Sequence, residues 1–218
     1  MKAYVITIQD NERSVQVANR CIKSAKWFGV EVQQWKATTP KDNPIQKLIE
    51  DKVKISGLHE AYSRINNCAA AFHSHYSLWK HCIEIDEQIM ILEHDAIFVN
   101  QMPERINFNK CISLGHPSYG KWNQATKLGV SPLFSKRYFP GAHGYIVKPS
   151  ACREFIKHAT TKLARPTDVF LHINSFPWLE EYYPWPVKAD DNFTTIQNQA
   201  GCFAKHNYGE TYGIEQVR

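Results

Sequence analysis

A strand, a helix and a second strand fit into the first 37 residues, and that order constrains the fold more than any other feature of the chain. "AYVITI" (3–8) is rich in β-branched residues and bounded by polar ones, as a buried strand is. Asp10, Asn11 and Ser14 supply helix-start chemistry. Val15, Ala18, Ile22, Ala25 and Phe28 then recur at spacings of three and four, which is one helix face. Gly29 ends that helix, and "VEVQQWKA" (30–37) reads as the second strand. Two strands joined through a helix run parallel. In open α/β sheets of this kind, ligands bind outside the carboxyl ends of the strands.

The rest of the chain extends this plan. Residues 38–62 carry Pro40, Pro44, Gly57 and many charges, and read as a long loop. A helix is expected over roughly 66–85, where Ala69, Phe72, Tyr76, Trp79 and Ile83 form an apolar stripe. "EQIMILEHDAIF" (87–98) is an apolar strand with acids in it, and "CISLG" (111–115) is another strand. Residues 116–144 read as loop. "YIVK" (145–148) is a strand, and "PSACREFIKHAT" is a helix opened by Pro149. "RPTDVFLHINSF" starts a further helix. With no repeat, low-complexity run or linker, the expectation is one domain over 1–218.

Composition narrows the class. Hydrophobic residues make up 43% and charged residues 22%, an ordinary globular balance. A net charge of +5 admits an anionic partner without demanding one. The six cysteines form no C-x-x-C pair, which argues against a zinc knuckle or a dense disulfide framework. The apolar run at the N-terminus is too short for a signal peptide, and no window reaches the length of a membrane span. A cytoplasmic protein with free thiols is expected. No P-loop, G-x-G-x-x-G or H-E-x-x-H is present, which disfavours kinases, dinucleotide enzymes and zinc hydrolases. His73 and His75, two apart on a helix, point in different directions and are no metal pair.

"ILEHDAIF" (91–98) is the stretch that asks for a function. An apolar strand carries Glu93, His94 and Asp95 where it should end, and unpaired charge in a core is costly. In an extended chain Glu93 and Asp95 point to the same side. Two carboxylates at a strand end are hard oxygen ligands suited to Mg²⁺ or Mn²⁺, with substrate phosphates completing the shell. A pair of solvated or salt-bridged acids explains them equally well.

The chain resembles glycosyltransferase family 25, the group that includes lipooligosaccharide and collagen galactosyltransferases. The opening "YVITIQDNER" matches the family's first strand and its Arg-containing segment. Ser74-His75-Tyr76-Ser77-Leu78-Trp79 matches its Ser-His and Leu-Trp helix, and "ILEHDA" its acidic strand end. "HGYIVKPSACREFI", Pro166-Thr167-Asp168 and "YPWPVKADDNFTTI" follow in the family's order. The chain departs from the pattern at Thr7-Ile8, at Ala70-Ala71 and at His94, which stands where the family has a middle Asp.

This resemblance implies a GT-A type fold: a single α/β domain, Rossmann-like, with a mixed central sheet flanked by helices. It implies an inverting, metal-dependent transfer of sugar from a nucleotide-sugar donor, a UDP-sugar, to an acceptor hydroxyl. The cofactor would be Mn²⁺ or Mg²⁺ on Asp95 and Glu93. The donor would meet Thr7, Ile8, Arg13, His75, Glu93 and His94, with Arg13 toward the diphosphate. His94 in place of a carboxylate lowers the negative charge there, and either weakens Mg²⁺ binding, favours the softer Mn²⁺ or hydrogen-bonds the sugar. The acceptor is open between a glycan, a lipid-linked saccharide, a protein and a modified DNA base. A second reading, allowed by His94, is a carbohydrate- or nucleic-acid-binding module that keeps the scaffold without the chemistry.

The resemblance puts Asp168 on the acceptor side of the cleft, as general base. By position alone Asp168 is a helix-start residue. Glu180 and Glu181 read as a solvated pair, and Asp190 and Asp191 as charges of a polar tail and the next base candidates. His143 either orients a phosphate or acceptor or is a loop histidine without a role. Trp122, Tyr138, Phe139, Trp178 and Trp185 either stack on sugar or base or fill the core.

Overall fold

The strand–helix–strand opening is present in the structure, a computed structural model that describes residues 1–59, 64–118 and 121–190 and two short strands beyond them. β1 (Lys2–Thr7) buries every residue after Lys2. α1 (Glu12–Trp27) starts at Asn11, whose side chain accepts the Ser14 N–H at 2.9 Å. It buries Ser14, Ala18, Cys21 and Ala25, and Gly29 leaves it at a φ of +75°, open to glycine at no steric cost. β2 (Gln33–Lys36) pairs parallel with β1.

The segment expected as a long loop is partly helical. α2 (Pro44–Glu50) lies between 3₁₀ turns at Pro40–Asp42 and Ile55–Leu58. Pro44 sits at the helix start, where its missing N–H is not needed, and Leu48 is fully buried. Such a helix is too short for its periodicity to show in sequence. α3 (Ile65–Glu84) carries the apolar stripe, with Phe72 and Trp79 fully buried.

β3 (Ile89–Glu93) is four buried residues ending on a half-buried Glu93. The expected single strand then breaks. His94 and Asp95 form a turn, and β4 (Ala96–Phe98) leaves for a second, two-stranded sheet. β5 (Cys111–Ser113) is followed by β6 (Gly129–Pro132), an edge strand inside the expected loop. β7 (Gly144–Val147) is wholly buried, and α4 (Pro149–Thr161) follows it. α5 (Thr167–Phe170) is one turn only. β8 (Leu179–Tyr183) joins the main sheet, and β9 (Val187–Ala189) pairs with β4. β10 (Phe193–Thr194) and β11 (Gly213–Ile214) pair with each other.

The main sheet has the order β2-β1-β3-β7-β5-β8-β6. β7 runs antiparallel to both β3 and β5, while β2, β1, β3, β5 and β8 run the same way. The result is the mixed α/β sheet that the resemblance implied, with the carboxyl ends of those strands along one edge. Side-chain alternation divides the interior in two. Tyr4, Ile6, Ile89 and Ile91 pack with α3 and α4, and Ala3, Val5, Met90 and Leu92 pack with α1. No described helix is long and apolar enough to cross a membrane. The described cysteines are free and buried, and Cys202 lies outside the described residues.

Glu181 corrects a sequence expectation. It is not solvated: it lies within β8, 1% exposed. Its Oε1 accepts the Phe134 and Ser135 N–H groups at 2.8 Å each, and Oε2 accepts the Trp185 indole N–H at 3.4 Å. Glu180 accepts the Asn109 N–H. Glu181 thus fastens the 134–135 segment, with the buried Ser135 amide, to the sheet. Glu181→Ala strands those donors and is expected to cost about 3 kcal/mol of unfolding free energy in urea. A loss under roughly 0.5 kcal/mol, the range of ordinary surface substitutions, would show that the carboxylate holds nothing.

Candidate active site

The parallel strands carry the candidate residues to the carboxyl edge, where a cleft opens between the sheet and α3. Its walls are Ile6 and Ile8 from the end of β1, residues 38–40 after β2, Asn67 to His75 on α3, and Glu93 with His94. Ala70 and Ala71 give the α3 wall only methyl groups, which leaves room. The open space is about 560 Å³, part of it solvent. Ser74 braces the opposite wall: its hydroxyl donates to Ala70 O at 2.8 Å and accepts the Thr38 N–H at 2.9 Å.

Glu93 is set by a chain of donors from the core. The Trp79 indole only donates, and its N–H points to Tyr145 Oη at 3.0 Å. The Tyr145 hydroxyl proton then goes to His75 Nδ1 at 2.9 Å, and His75 Nε2–H goes to Glu93 Oε1 at 3.2 Å. Burial drops the His75 pKa to about 3, against a weak opposing pull from Asp168. His75 and Glu93 therefore form a neutral donor on a carboxylate, not an ion pair. Burial likewise pushes the Tyr145 hydroxyl well above its ordinary pKa, so it keeps its proton.

The turn after β3 separates the two acids. Glu93 faces His75 of α3. Asp95 is buried, and its charge is felt by Cys21 of α1, whose thiol burial first and Asp95 second push up to about 12. Alternation in an extended chain would have put both on one side, but extended geometry stops at Glu93. The Asp95 carbonyl accepts the Asp190 N–H at 2.9 Å. Arg20 of α1 holds Asp190 through Oδ2 at 3.2 Å and through its carbonyl. Asp191 lies outside the described residues. His94, between the acids, lies 2.6 Å by Nδ1 from Ser14 Oγ, and burial lowers it to about 4.

Among the described residues no group of three or more His, Cys, Asp or Glu side chains could hold a metal ion. Asp95 and Glu93 offer two carboxylates on either side of the turn, of which Glu93 lines the cleft. Such a donor set suits an ion whose remaining ligands are substrate oxygens and water, and not a closed protein cage.

The other expected residues divide. Ile8 lines the cleft and donates its N–H to Ser14 Oγ at 2.9 Å. Thr7 is fully buried and donates its hydroxyl to Val5 O, so it shapes the strand end. Arg13 is half-buried on the first turn of α1, outside the cleft wall. Asp168 is half-buried on α5, accepts the Val169 N–H at 2.8 Å, and is felt by both His75 and Lys136. His143 is 2% exposed, and a Cβ on Gly115 or Gly141 would come within 2.6 or 2.7 Å of its ring. Burial lowers it to about 4, and its carbonyl accepts the Glu93 N–H at 3.1 Å. Phe139 and Trp178 belong to the core, Trp185 is buried beside His116, and Tyr138 stacks on His172. Sequence reasoning missed Tyr145 as a site residue and read Ser14 only as a helix start. The available signal was that buried Tyr and Trp polar atoms require partners.

A family model described as "Glycosyltransferase family 25 (LPS biosynthesis protein)" matches residues 1–171. No curated protein is matched at a significant level. Among solved structures, a mutant Drosophila beta-1,4-galactosyltransferase 7, determined with manganese, UDP-Gal and xylobiose, superposes with a TM-score of 0.35 at 10% identity. The match covers 80% of this chain and 69% of that one. A likeness that distant transfers no residue roles.

His75 predicts a pH dependence. Its folded pKa, about 3, is below its ordinary value of 6.5, so below 6.5 the unfolded chain takes up a proton that the folded chain refuses. The stability tied to the neutral ring is complete above 6.5 and is lost as pH falls toward 3. Denaturant midpoints between pH 7 and pH 4 are expected to fall less steeply in His75→Gln than in wild type. Equal slopes would show that His75 is not the buried neutral group described.

Proposed function

We propose how this chain works from the premise that it belongs to glycosyltransferase family 25 and so transfers a sugar: the donor is a nucleotide sugar, a UDP-sugar, bound in the cleft between β1, β3 and α3. The observation that supports this is the cleft at the carboxyl edge, with Glu93 held at its mouth by the Trp79–Tyr145–His75 chain. The nucleoside lies between residues 38–40 and the small-residue face of α3. The diphosphate lies toward Glu93, His94 and Asp95, near Arg13 at the start of α1. Asp95 and Glu93 are the residues that would hold Mn²⁺ or Mg²⁺. When bound, such an ion offsets the charge that gathers on the departing diphosphate.

The reaction is a single displacement with inversion. The acceptor oxygen forms the new bond to the anomeric carbon as the bond to the diphosphate breaks on the opposite face. The acceptor proton passes to the Asp168 carboxylate. Asp168 suits this task because it is half-buried near His75, on the cleft's flank, with Lys136 close. His75 is neutral and leaves the carboxylate's charge uncancelled, while the Lys136 ammonium favours the ionised form. His75, by donating to Glu93, keeps that carboxylate from swinging into the acceptor's path.

Two variants separate these roles. Asp168→Asn can still accept the Val169 N–H but cannot take the proton, so unfolding midpoints hold while transfer from UDP-sugar falls roughly a hundredfold or more. Near-normal transfer would move the base elsewhere, Asp190 first. Asp95→Ala is expected to abolish Mn²⁺-dependent donor binding with the fold intact, and excess EDTA to silence the wild type. Full activity in EDTA would contradict the metal assignment.

A further inference from the structure

We infer that the tip of the sheet around β6 docks this chain on a membrane surface that bears anionic phospholipid. The docking does not rest on the nucleotide-sugar reading above. Between Glu104 and Glu154 the chain has no acidic residue and eight lysines and arginines, more than its whole net charge of +5. Part of that charge is used elsewhere: Lys110 pairs with Glu154, Arg153 pairs with Asp86, and Lys148 lies over the Phe108 ring. Lys121, Lys127 and Arg137 are exposed before and after β6. β6 is the outermost strand at one end of the main sheet. Leu128 and Phe134 flank it, 73% and 60% exposed. The loop before β6 belongs to the same tip. Asn123 donates its backbone N–H to Ser135 O at 2.9 Å and its side-chain amide to Phe134 O at 3.2 Å. Gln124 donates to the Tyr183 hydroxyl, across from Gly129. The acids of the neighbouring β8 are occupied by backbone N–H groups, Glu181 by Phe134 and Ser135, and Glu180 by Asn109.

Chemistry selects the partner. The strength of interfacial binding follows the apolar area that enters the lipid and the attraction of cations to anionic headgroups, and this tip offers both. Leu128 is aliphatic and gives a nucleic-acid base no ring to stack on, whereas hydrocarbon accepts it. A second copy paired edge to edge along β6 would set the same cation-rich tip against itself. Half-buried Trp122, next to Lys121, has the amphipathic ring that suits a headgroup layer. The tip also leads toward the candidate base. Lys136, next to Arg137, lies over the Tyr138 ring and is close to Asp168. Among the acceptors left open by the sequence, a lipid-linked saccharide is the one that such docking would serve.

Flotation of the purified chain with lipid vesicles is the test, and it needs no sugar transfer. The vesicles are phosphatidylcholine alone, or phosphatidylcholine mixed equally with phosphatidylglycerol. Wild type is expected to float with the mixed vesicles, to stay behind with phosphatidylcholine alone, and to be released by salt. Lys121→Gln, Lys127→Gln and Arg137→Gln are each expected to weaken partition about fivefold. Leu128→Ser and Phe134→Ser are each expected to weaken it about tenfold, with unfolding midpoints held because both side chains are exposed. Trp27 is the control: it is 81% exposed at the end of α1, which packs on β1 and β3 and not on β6. Trp27→Ser is expected to float like wild type. No flotation of wild type, or undiminished flotation in both Leu128→Ser and Phe134→Ser, overturns the inference. So does an equal loss in Trp27→Ser, since any exposed apolar side chain would then serve. Light scattering and titration with single-stranded DNA read the other occupants. A dimer that Leu128→Ser and Phe134→Ser dissociate, or DNA binding that both leave unchanged, found without flotation, would overturn it in favour of a second copy or a nucleic acid.

Discussion

A directed chain of hydrogen bonds from Trp79 through Tyr145 and His75 to Glu93 is the interaction on which the site depends. Its direction is forced at the carboxylate end: Glu93 can only accept, so the proton of the neutral His75 ring is on Nε2 and Nδ1 accepts from Tyr145, whose oxygen takes the Trp79 N–H. Each later group inherits its role, and no proton can be reversed without leaving a buried atom unsatisfied. The chain also joins α3 and β3, which are consecutive in sequence, to β7, which is distant from both. The carboxylate at the cleft mouth is thus located by core packing around Trp79, where Phe72, Phe155 and Phe170 crowd the ring.

The sheet's mixed topology makes this possible. β7 enters between β3 and β5 in the opposite direction, so its amino end meets their carboxyl ends. Tyr145 and His143 reach the edge from there, one donating toward His75 and the other accepting from Glu93. The turn at His94 and Asp95 then divides the acidic cluster between the two faces of the sheet. Glu93 is governed by α3. His94 and Asp95 are governed by α1, through Ser14 and the surroundings of Cys21. An ion held by both acids would bridge two halves of the core, which suits a site completed by substrate oxygens.

Much of this was readable in the sequence. The opening strand–helix–strand unit, the α3 stripe and the acidic end of β3 are strong periodic or compositional signals, and each is where it was expected. The elements that escaped are short. α2 has too few turns for a stripe, and β6 is an edge strand of half-exposed residues inside a Gly- and Lys-rich stretch. The break after Glu93 was invisible because Ala-Ile-Phe continues the apolar run, and only pairing with β9 draws it into another sheet. Glu181 looked solvated because its partners, two amides of a distant loop, leave no local trace. Roles set by long-range hydrogen bonds, as for Tyr145 and Ser14, depend on contacts that sequence spacing does not encode.

The most direct measurement is a crystal structure of the chain with an intact UDP-sugar and Mn²⁺. The account predicts the nucleoside between residues 38–40 and the Ala70–Ala71 face of α3, with the diphosphate against Glu93, His94 and Asp95. A nucleotide seated elsewhere, for example in the pocket lined by His116, Trp185 and Lys188, would contradict it.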